Sequence, residues 1–206
     1  MPVKTTVCVL LKAPVAGEVK TRLSRTLGAV NARQAYIRLA EHQLRQIPDR
    51  WRIEVHFSPA DAGDALVAWL SHVGAFSYVP QCEGNLGERL AQAQATAFAR
   101  GADRVVLIGG DCPELTEARL EKAVSRLGDA DVVIVPAVDG GYALLASTKP
   151  TPELFTGIPW STAAVLQATM ARAEAAQRRV ALESPVFDVD EAEDWARARA
   201  ILEREP

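Results

Sequence analysis

The sequence predicts a doubly wound α/β domain, with a mainly parallel, mixed sheet of about seven strands and helices on both faces. Short runs rich in β-branched residues alternate along the chain with longer segments of helical period, which is the pattern of such a sheet. The first run, residues 5–11, contains no charged residue, as expected of a strand covered on both faces. No repeat, linker or low-complexity segment divides the 206 residues, so we expect one domain over residues 1–206.

Seven short and mostly apolar segments are predicted to be strands. They are residues 5–11, 52–57, 76–79, 104–108, 132–136, 142–146 and 179–182. The turn at Asp139, Gly140 and Gly141, between the fifth and sixth strands, is too short for a parallel crossover, which needs about a dozen residues. We therefore expect the sixth strand to pair antiparallel or to bend away from the sheet.

The segments between the strands are predicted to be helices. They are residues 31–47, 62–73, 86–100, 116–127, 161–177 and 190–202. Thr116 is the expected N-cap of the helix over residues 116–127, and Gly128 is expected to end that helix. Asp190 stands three residues before Glu193, the spacing of a capping box, so we expect Asp190 to cap the last helix.

The composition limits the possible functions. Hydrophobic residues make up 49% and charged residues 24%, which is ordinary for a globular protein. The net charge of −3 gives no basic field for nucleic acid, so an anionic substrate must be held by locally placed cations. The first apolar run is interrupted by Lys12, and it predicts neither a signal peptide nor a membrane span. We expect a cytoplasmic protein without membrane or nucleic-acid partners.

The cysteines and histidines predict no reactive cluster. Three cysteines, Cys8, Cys82 and Cys112, lie far apart without Cys-x-x-Cys spacing, which argues against disulfides and thiolate metal sites and fits a reducing compartment. Cys112 is expected to be a buried structural thiol rather than a nucleophile. The histidines, at positions 42, 56 and 72, are single and are expected to be structural or exposed.

Ligands of open α/β sheets bind beyond the carboxyl ends of the strands, and the polar, glycine-rich segments of this chain follow the predicted strands. After the first strand come Lys12, Pro14, Gly17, Lys20, Thr21 and Arg22. Free backbone N–H groups at a helix start, with a Lys and an Arg, suit a di- or triphosphate. The alternative is a solvated loop with ordinary surface cations. The segment is not a Walker loop. A Gly-x-Gly-x-x-Gly pattern is also absent, which argues against NAD as a ligand.

After the fourth strand, Asp111 follows two glycines. A carboxylate directly beyond an apolar strand is a good ligand for a divalent cation, although it could also cap a turn. Near the C-terminus, Asp188 precedes Asp190. If Asp190 caps the last helix, Asp188 is the freer metal ligand.

Three further segments are candidates for ligand contacts. The turn from Asp139 to Tyr142 lies at the same predicted edge, although Asp-Gly-Gly is also a plain turn signal. A polar loop containing Gly84 and Gly87 enters a helix. Trp160 stands at a predicted helix start, where it could stack on a base or a sugar or could belong to the core.

Six motifs occur in a fixed order between residues 12 and 194. They are Lys-x-Pro with Gly-x-x-Lys-Thr-Arg-Leu, then Gly-x-Leu-Gly-Glu-Arg, Gly-Gly-Asp-Cys-Pro, Asp-Gly-Gly-Tyr, Pro-Trp-Ser-Thr and Asp-Val-Asp. This order resembles the glycosyltransferase-like family associated with radical-SAM and selenodomain genes, within the nucleotide-diphospho-sugar transferase superfamily and its glycosyltransferase-A-like fold. The resemblance implies a nucleotide in the N-terminal half and Mg²⁺ or Mn²⁺ on the carboxylates.

Carried over by position, the resemblance implies a role for each motif. Phosphates would contact Lys12, Lys20 and Arg22, and the metal would bind Asp111, with Asp188 as a second ligand or an orienting group. The nucleotide site would also include Pro14, Gly17, Thr21, Gly84 and Gly87, and the acceptor site Asp139, Gly140, Gly141, Tyr142 and Trp160.

One departure changes the expected reaction. Many metal-dependent sugar transferases carry Asp-x-Asp after the central strand, but Cys112 and Pro113 follow Asp111 here. This Asp-x-Pro resembles nucleotidyltransferases, including the guanylyltransferases for phospholactate and the molybdenum cofactor. We therefore expect a transferase that takes a nucleoside triphosphate or sugar nucleotide and a small acceptor, with nucleotidyl transfer favoured and with Lys20, Arg22 and Asp111 as catalytic residues. The alternatives are a glycosyltransferase using a sugar nucleotide, or a non-catalytic nucleotide-binding protein of the same fold.

Overall fold

A computed structural model describes residues 3–204. Its seven strands form one sheet in the order β3-β2-β1-β4-β6-β5-β7. The strands are β1 (Thr5–Lys12), β2 (Arg52–Ser58), β3 (Ser77–Pro80), β4 (Arg104–Ile108), β5 (Val132–Pro136), β6 (Tyr142–Ser147) and β7 (Val180–Leu182). All pairs are parallel except those of β6, which is antiparallel to both β4 and β5. The predicted mixed sheet and its antiparallel sixth strand are confirmed.

Seven helices pack around this sheet. They are α1 (Thr21–Leu27), α2 (Ala29–Arg45), α3 (Gly63–Leu70), α4 (Leu86–Ala99), α5 (Glu117–Ser125), α6 (Val165–Ala175) and α7 (Ala192–Leu202). One core lies between the sheet and α2, α3 and α5, and a second lies between the sheet and α4 and α6. Helices therefore cover both faces, as predicted. Within residues 3–204 we find no helix with the length and hydropathy to cross a bilayer.

Strand β1 shows how the sequence specifies this sandwich. Val7, Val9 and Leu11 point into the first core, while Cys8 and Leu10 point to the second. Alternate residues of a strand face opposite sides of a sheet, so a strand covered on both sides must be apolar along its whole length. This geometry explains the uncharged first run.

Three helix starts differ from the sequence-based expectation by two residues or more, and α2 begins at Ala29 rather than at residue 31. Helix α6 begins at Val165 rather than at residue 161, because Ser161 has a φ of +63° and the hydroxyl of Thr162 accepts the N–H of Ala164 in a turn. The N-cap of α7 is Glu191 and not Asp190, and Glu191 forms a capping box with Asp194. The sequence offers two overlapping capping-box spacings here, and the structure uses the second.

Candidate active site

Two adjoining clefts open at the edge of the sheet where the parallel strands end. The β1 cleft, of about 560 Å³, lies beyond β1 and β4, and the β6 cleft, of about 580 Å³, lies beyond β4, β5 and β6. The residues that line both are Leu10, Arg22, Leu86, Gly109, Asp111 and Asp190. The predicted phosphate, metal and acceptor segments thus converge on one region, with Asp111 at the boundary of the clefts.

The β1 cleft is rich in cations. Lys12, Lys20, Arg22 and Arg89 all line it. Arg89, which we did not single out from the sequence, donates from Nε to the Gly84 carbonyl at 3.1 Å, and this contact fixes it on the first turn of α4. Arg89 could have been identified from the sequence by its place in the Gly-x-Leu-Gly-Glu-Arg motif. Four cations around one cleft provide the local positive charge that a polyphosphate requires.

Lys20 is buried rather than solvated. It occupies the N-cap of α1 with a φ of +47°, and its side chain is only 7% exposed. Its Nζ lies 2.8 Å from Asp111 Oδ2 and 3.5 Å from Asp190 Oδ1. Burial alone would lower the pKa of Lys20, but the two carboxylates outweigh it and the pKa is raised. For Lys20, the alternative of a solvated surface cation is therefore wrong.

Asp111 is held in place by its neighbours. A Cβ on Gly110 would lie 2.6 Å from a methyl group of Leu11, so only glycine lets the chain pack this closely on β1. The N–H of Val189 donates to the Asp111 carbonyl at 3.1 Å. Burial opposes ionisation of Asp111, but the charge and hydrogen bond of Lys20 outweigh it and lower its pKa. Cys112 is buried beside it, and burial and this carboxylate raise the pKa of the thiol, in line with a structural cysteine.

Asp190 faces the clefts instead of capping α7. Its Oδ2 accepts from Arg22 Nη1 at 2.8 Å. Val189 is fully buried, while Asp188 and Asp190 on either side of it line the β6 cleft, as alternate residues of an extended segment do. The expectation that capping would occupy Asp190 was wrong, because Glu191 takes that role. The alternation in Asp-Val-Asp could have indicated from the sequence that Asp190 lines the cleft together with Asp188.

Asp188 lies among like charges. Partial burial and the repulsion of Asp139, Asp111 and Asp190 raise its pKa from 3.8 to about 6. A carboxyl group with this environment gains stability when a cation approaches it, because the cation offsets the neighbouring charges.

The far wall of the β6 cleft is aromatic. Tyr142 and Trp160 meet edge-to-face with their ring centroids 6.3 Å apart. The exposed Asp139 and the half-buried Gly141 also line this wall, and the N–H of Gly141 donates to Asp139 Oδ1 at 2.8 Å. The predicted acceptor residues are therefore gathered together, with the exception of Gly140.

Four of the predicted site residues line neither cleft: Pro14, Gly17, Gly87 and Gly140. Gly17 lies exposed in the loop between β1 and α1 with a φ of +88°. A Cβ on Gly140 would lie 2.3 Å from the carbonyl oxygen of Ala163, so this glycine lets the turn pack against the segment before α6.

Gly87 has a packing role, which leads to a prediction. A Cβ there would lie 2.4 Å from the Phe155 carbonyl oxygen and 2.7 Å from Trp160 Nε1. We expect Gly87→Ala to lower the free energy of unfolding by ~1–3 kcal/mol, the usual cost of overpacking. Gly128→Ala is the matched control, since no atom lies within 4 Å of a Cβ at that position. Equal melting curves for both variants would contradict a packing role for Gly87.

The donor set of the β6 cleft fits a divalent cation. Asp111, Asp139, Asp188 and Asp190 offer the hard carboxylate oxygens that Mg²⁺ and Mn²⁺ prefer. The ammonium of Lys20 lies between Asp111 and Asp190, which shows that positive charge is stable there. Among residues 3–204, these aspartates do not bring three oxygens within 4.8 Å of one another. This matches Mg²⁺, which is usually bound through one or two carboxylates together with substrate phosphates.

The chain is similar in sequence to known proteins. The sequence pattern of a family described as "Uncharacterized protein conserved in bacteria (DUF2064)" matches residues 42–162. A phosphoenolpyruvate guanylyltransferase of Chloroflexus aggregans (strain MD-66 / DSM 9485) is 27% identical over 181 residues, which cover 84% of this chain and 87% of the relative.

Solved structures give the same fold. The crystal structure of a candidate nucleotide-diphospho-sugar transferase from Desulfovibrio desulfuricans G20 has a TM-score of 0.86 and 28% identity, and the match covers 98% of both chains. The 4-diphosphocytidyl-2C-methyl-D-erythritol synthase of Anaerococcus prevotii DSM 20548 has a TM-score of 0.64 at 12% identity, covering 98% of this chain and 99% of the other, which shows the fold alone. The predicted superfamily and the prediction of a transferase are confirmed.

Proposed function

The chain belongs to the DUF2064 family of proteins conserved in bacteria, and we propose that it is a metal-dependent nucleotidyltransferase acting on a nucleoside triphosphate and a small acceptor. The observation that carries the proposal is the meeting of the two clefts at Asp111. Four cations line one cleft, while an aromatic wall and carboxylates line the other. This division suits a polyphosphate on one side and an organic acceptor on the other.

In the proposed reaction, an oxygen of the acceptor bonds to the α-phosphorus of the triphosphate. The bond from that phosphorus to the oxygen bridging to the β-phosphate breaks, and diphosphate leaves with the electron pair. No protein nucleophile is required, which agrees with the burial of the Cys112 thiol and the raised pKa that burial gives it. The similarity to a guanylyltransferase supports nucleotidyl rather than glycosyl transfer.

The residues of the site have separate tasks. Lys20 and Arg22 would neutralise charge that builds on the leaving diphosphate, where each well-aimed group contributes on the order of 10²–10³ in rate. Asp111 and Asp188 would hold the divalent cation, which when bound supplies positive charge to phosphate oxygens. Tyr142 and Trp160 would position the acceptor. Lys12 and Arg89 complete the positive lining of the β1 cleft.

Product analysis tests the proposal. The protein is incubated with Mg²⁺, each nucleoside triphosphate and a panel of phosphorylated and hydroxylated acceptors that includes phosphoenolpyruvate. We expect acceptor-dependent release of diphosphate and a nucleotidylated product by mass spectrometry. A parallel series uses sugar nucleotides. Release of nucleoside diphosphate from that series, with no diphosphate from any triphosphate, would establish glycosyl transfer instead.

Arg22 provides a prediction about nucleotide binding. Arg22→Ala should weaken triphosphate binding by ~1.5–3 kcal/mol, the cost of a lost hydrogen bond to a charged group. Its side chain is 59% exposed, so the melting temperature should hardly change. Lys149→Ala is the control, because this exposed cation follows β6 at the opposite edge of the sheet. Unaltered affinity of Arg22→Ala in calorimetry would mean that Arg22 is an ordinary surface cation.

A further inference from the structure

Three side chains able to bind metal meet beneath helix α4, outside both clefts. Cys8 belongs to β1, and Glu54 and His56 belong to β2. The two strands pair in parallel with Cys8 opposite Glu54, and His56 follows two residues later on the same face. One ligand atom of each residue lies within 4.8 Å of the other two. The sequence predicted no such cluster, because 46 positions separate Cys8 from Glu54 and only the strand register joins them.

The cluster is enclosed and incompletely hydrogen-bonded. Cys8 has no exposed surface, and the side chains of Glu54 and His56 are 1% and 3% exposed. Glu54 Oε2 and His56 Nε2 form a buried ion-pair contact at 3.3 Å, and Arg100 Nη1 lies 3.3 Å from Glu54 Oε1, but within residues 3–204 neither Oε2 nor Nε2 makes a hydrogen bond of good geometry. The Cys8 thiol donates to the Ala93 carbonyl at 3.8 Å. Buried polar atoms without well-formed hydrogen bonds are costly, so their convergence requires an explanation.

We propose that Cys8, Glu54 and His56 supply three ligands of a buried Zn²⁺ site. One sulfur, one nitrogen and one carboxylate oxygen are all ordinary zinc ligands. On binding, the Cys8 thiol gives up its proton, and the thiolate and carboxylate bring two negative charges to the ion, of which the Glu54 charge is shared with Arg100. Zinc–sulfur and zinc–nitrogen bonds of about 2.3 and 2.0 Å bring the ligand atoms to within roughly 4 Å, so small side-chain rotations suffice.

Enclosure by the protein assigns the ion a structural role, since no substrate could reach it. The ion would join β1 and β2 directly beneath α4, whose residues Ala93 and Ala97 pack in the same core as Cys8. Helix α4 begins at the wall of the β1 cleft, where Leu86 and Arg89 lie. The zinc site would therefore stabilise that wall without taking part in the reaction.

Metal analysis of full-length protein tests the proposal. All proteins carry Asp111→Asn, so that the clefts contribute as little metal as possible, and are produced in medium with added Zn²⁺ or Co²⁺. We expect about one Zn²⁺ per chain and, in the cobalt form, a thiolate-to-cobalt charge-transfer absorption. Cys8→Ser should lose that absorption and most of the metal. Cys82→Ser, which removes a partly exposed thiol, should keep both.

Glu54→Gln is the second variant, and it keeps the size of the side chain while removing its charge. Its Zn²⁺ affinity, measured by competition with a chelator, should fall at least tenfold. A zinc content near zero in the Asp111→Asn protein, or a cobalt–sulfur absorption that survives Cys8→Ser, would overturn the proposal. If Cys8→Ser does not fold, the metal content and cobalt spectrum of the Asp111→Asn protein decide. Neither result bears on nucleotidyl transfer, because the two sites share no residue.

Discussion

Asp111→Asn is expected to abolish the Mn²⁺-dependent gain in nucleotide affinity and to lower the rate of product formation by roughly 10²–10³. A neutral amide replaces the charged oxygen that a hard cation prefers, and Asp111 lies where the two clefts meet. Calorimetric titration of nucleotide into the variant and the natural protein, with and without Mn²⁺, measures the first effect.

The structure adds a second expected result for this variant. Asp111 accepts from the buried Lys20 at 2.8 Å, so the amide leaves that ammonium with Asp190 at 3.5 Å as its remaining carboxylate partner. The melting temperature should therefore fall, and binding must be measured well below it. Asp129→Asn is the control, because Asp129 is exposed before β5 at the opposite edge of the sheet. Equal Mn²⁺-dependent gains in nucleotide affinity for Asp111→Asn and the control would exclude Asp111 as a ligand of the metal.

The affinity for Mn²⁺ should depend on pH through Asp188. The pKa of this carboxyl group is about 6, so below that pH a proton competes with the cation. Affinity measured without nucleotide should be about tenfold weaker at pH 5.0 than at pH 7.5, since each unit below the pKa costs up to a factor of ten. Asp188→Asn should bind Mn²⁺ more weakly and lose this dependence. An unchanged pH dependence in that variant would show that another group titrates.

The same carboxyl group affects stability. Its pKa is higher in the folded protein than the ordinary 3.8, so the folded state binds more protons between pH 4 and 6. Stability in the absence of metal therefore falls as the pH rises through this window. Asp188→Asn should remove that loss of stability. The difference in melting temperature between the variant and the natural protein should therefore shift in favour of the variant as the pH rises from 4 to 7. Parallel melting curves across this range would contradict the raised pKa.

The local features of the fold could be predicted from the sequence, because they depend on short-range patterns. The absence of charged residues over residues 5–11 of β1 was sufficient to predict a strand with helices on both sides. The short turn before β6 was sufficient to predict an antiparallel strand. The position of β6 between β4 and β5 was not predicted, since strand order depends on long-range pairing that the pattern of one strand does not contain.

The candidate site shows the same limit. Its residues could be selected because they follow strands, and the carboxyl ends of parallel strands share one edge. Their contacts could not be predicted. Lys20 is buried against Asp111, and Arg22 binds Asp190, only because α1 and the start of α7 pack together on α2. That packing leaves the helix cap to Glu191, although the local sequence favoured Asp190.

The insertion of β6 between β4 and β5 also sets the size of molecule that would fit in the β6 cleft. Loops after adjacent parallel strands would be about 4.8 Å apart, but β6 separates β4 from β5 and so doubles the gap between Asp111 and Asp139 at the level of the backbone. The floor of this gap is hydrogen-bonded sheet, with Ile108 paired to Leu144, and it cannot widen without breaking the ladder. If the acceptor binds in the β6 cleft as proposed, selectivity among acceptors should change through side chains at the start of β6, such as Tyr142 and Ala143, while the backbone keeps a fixed width.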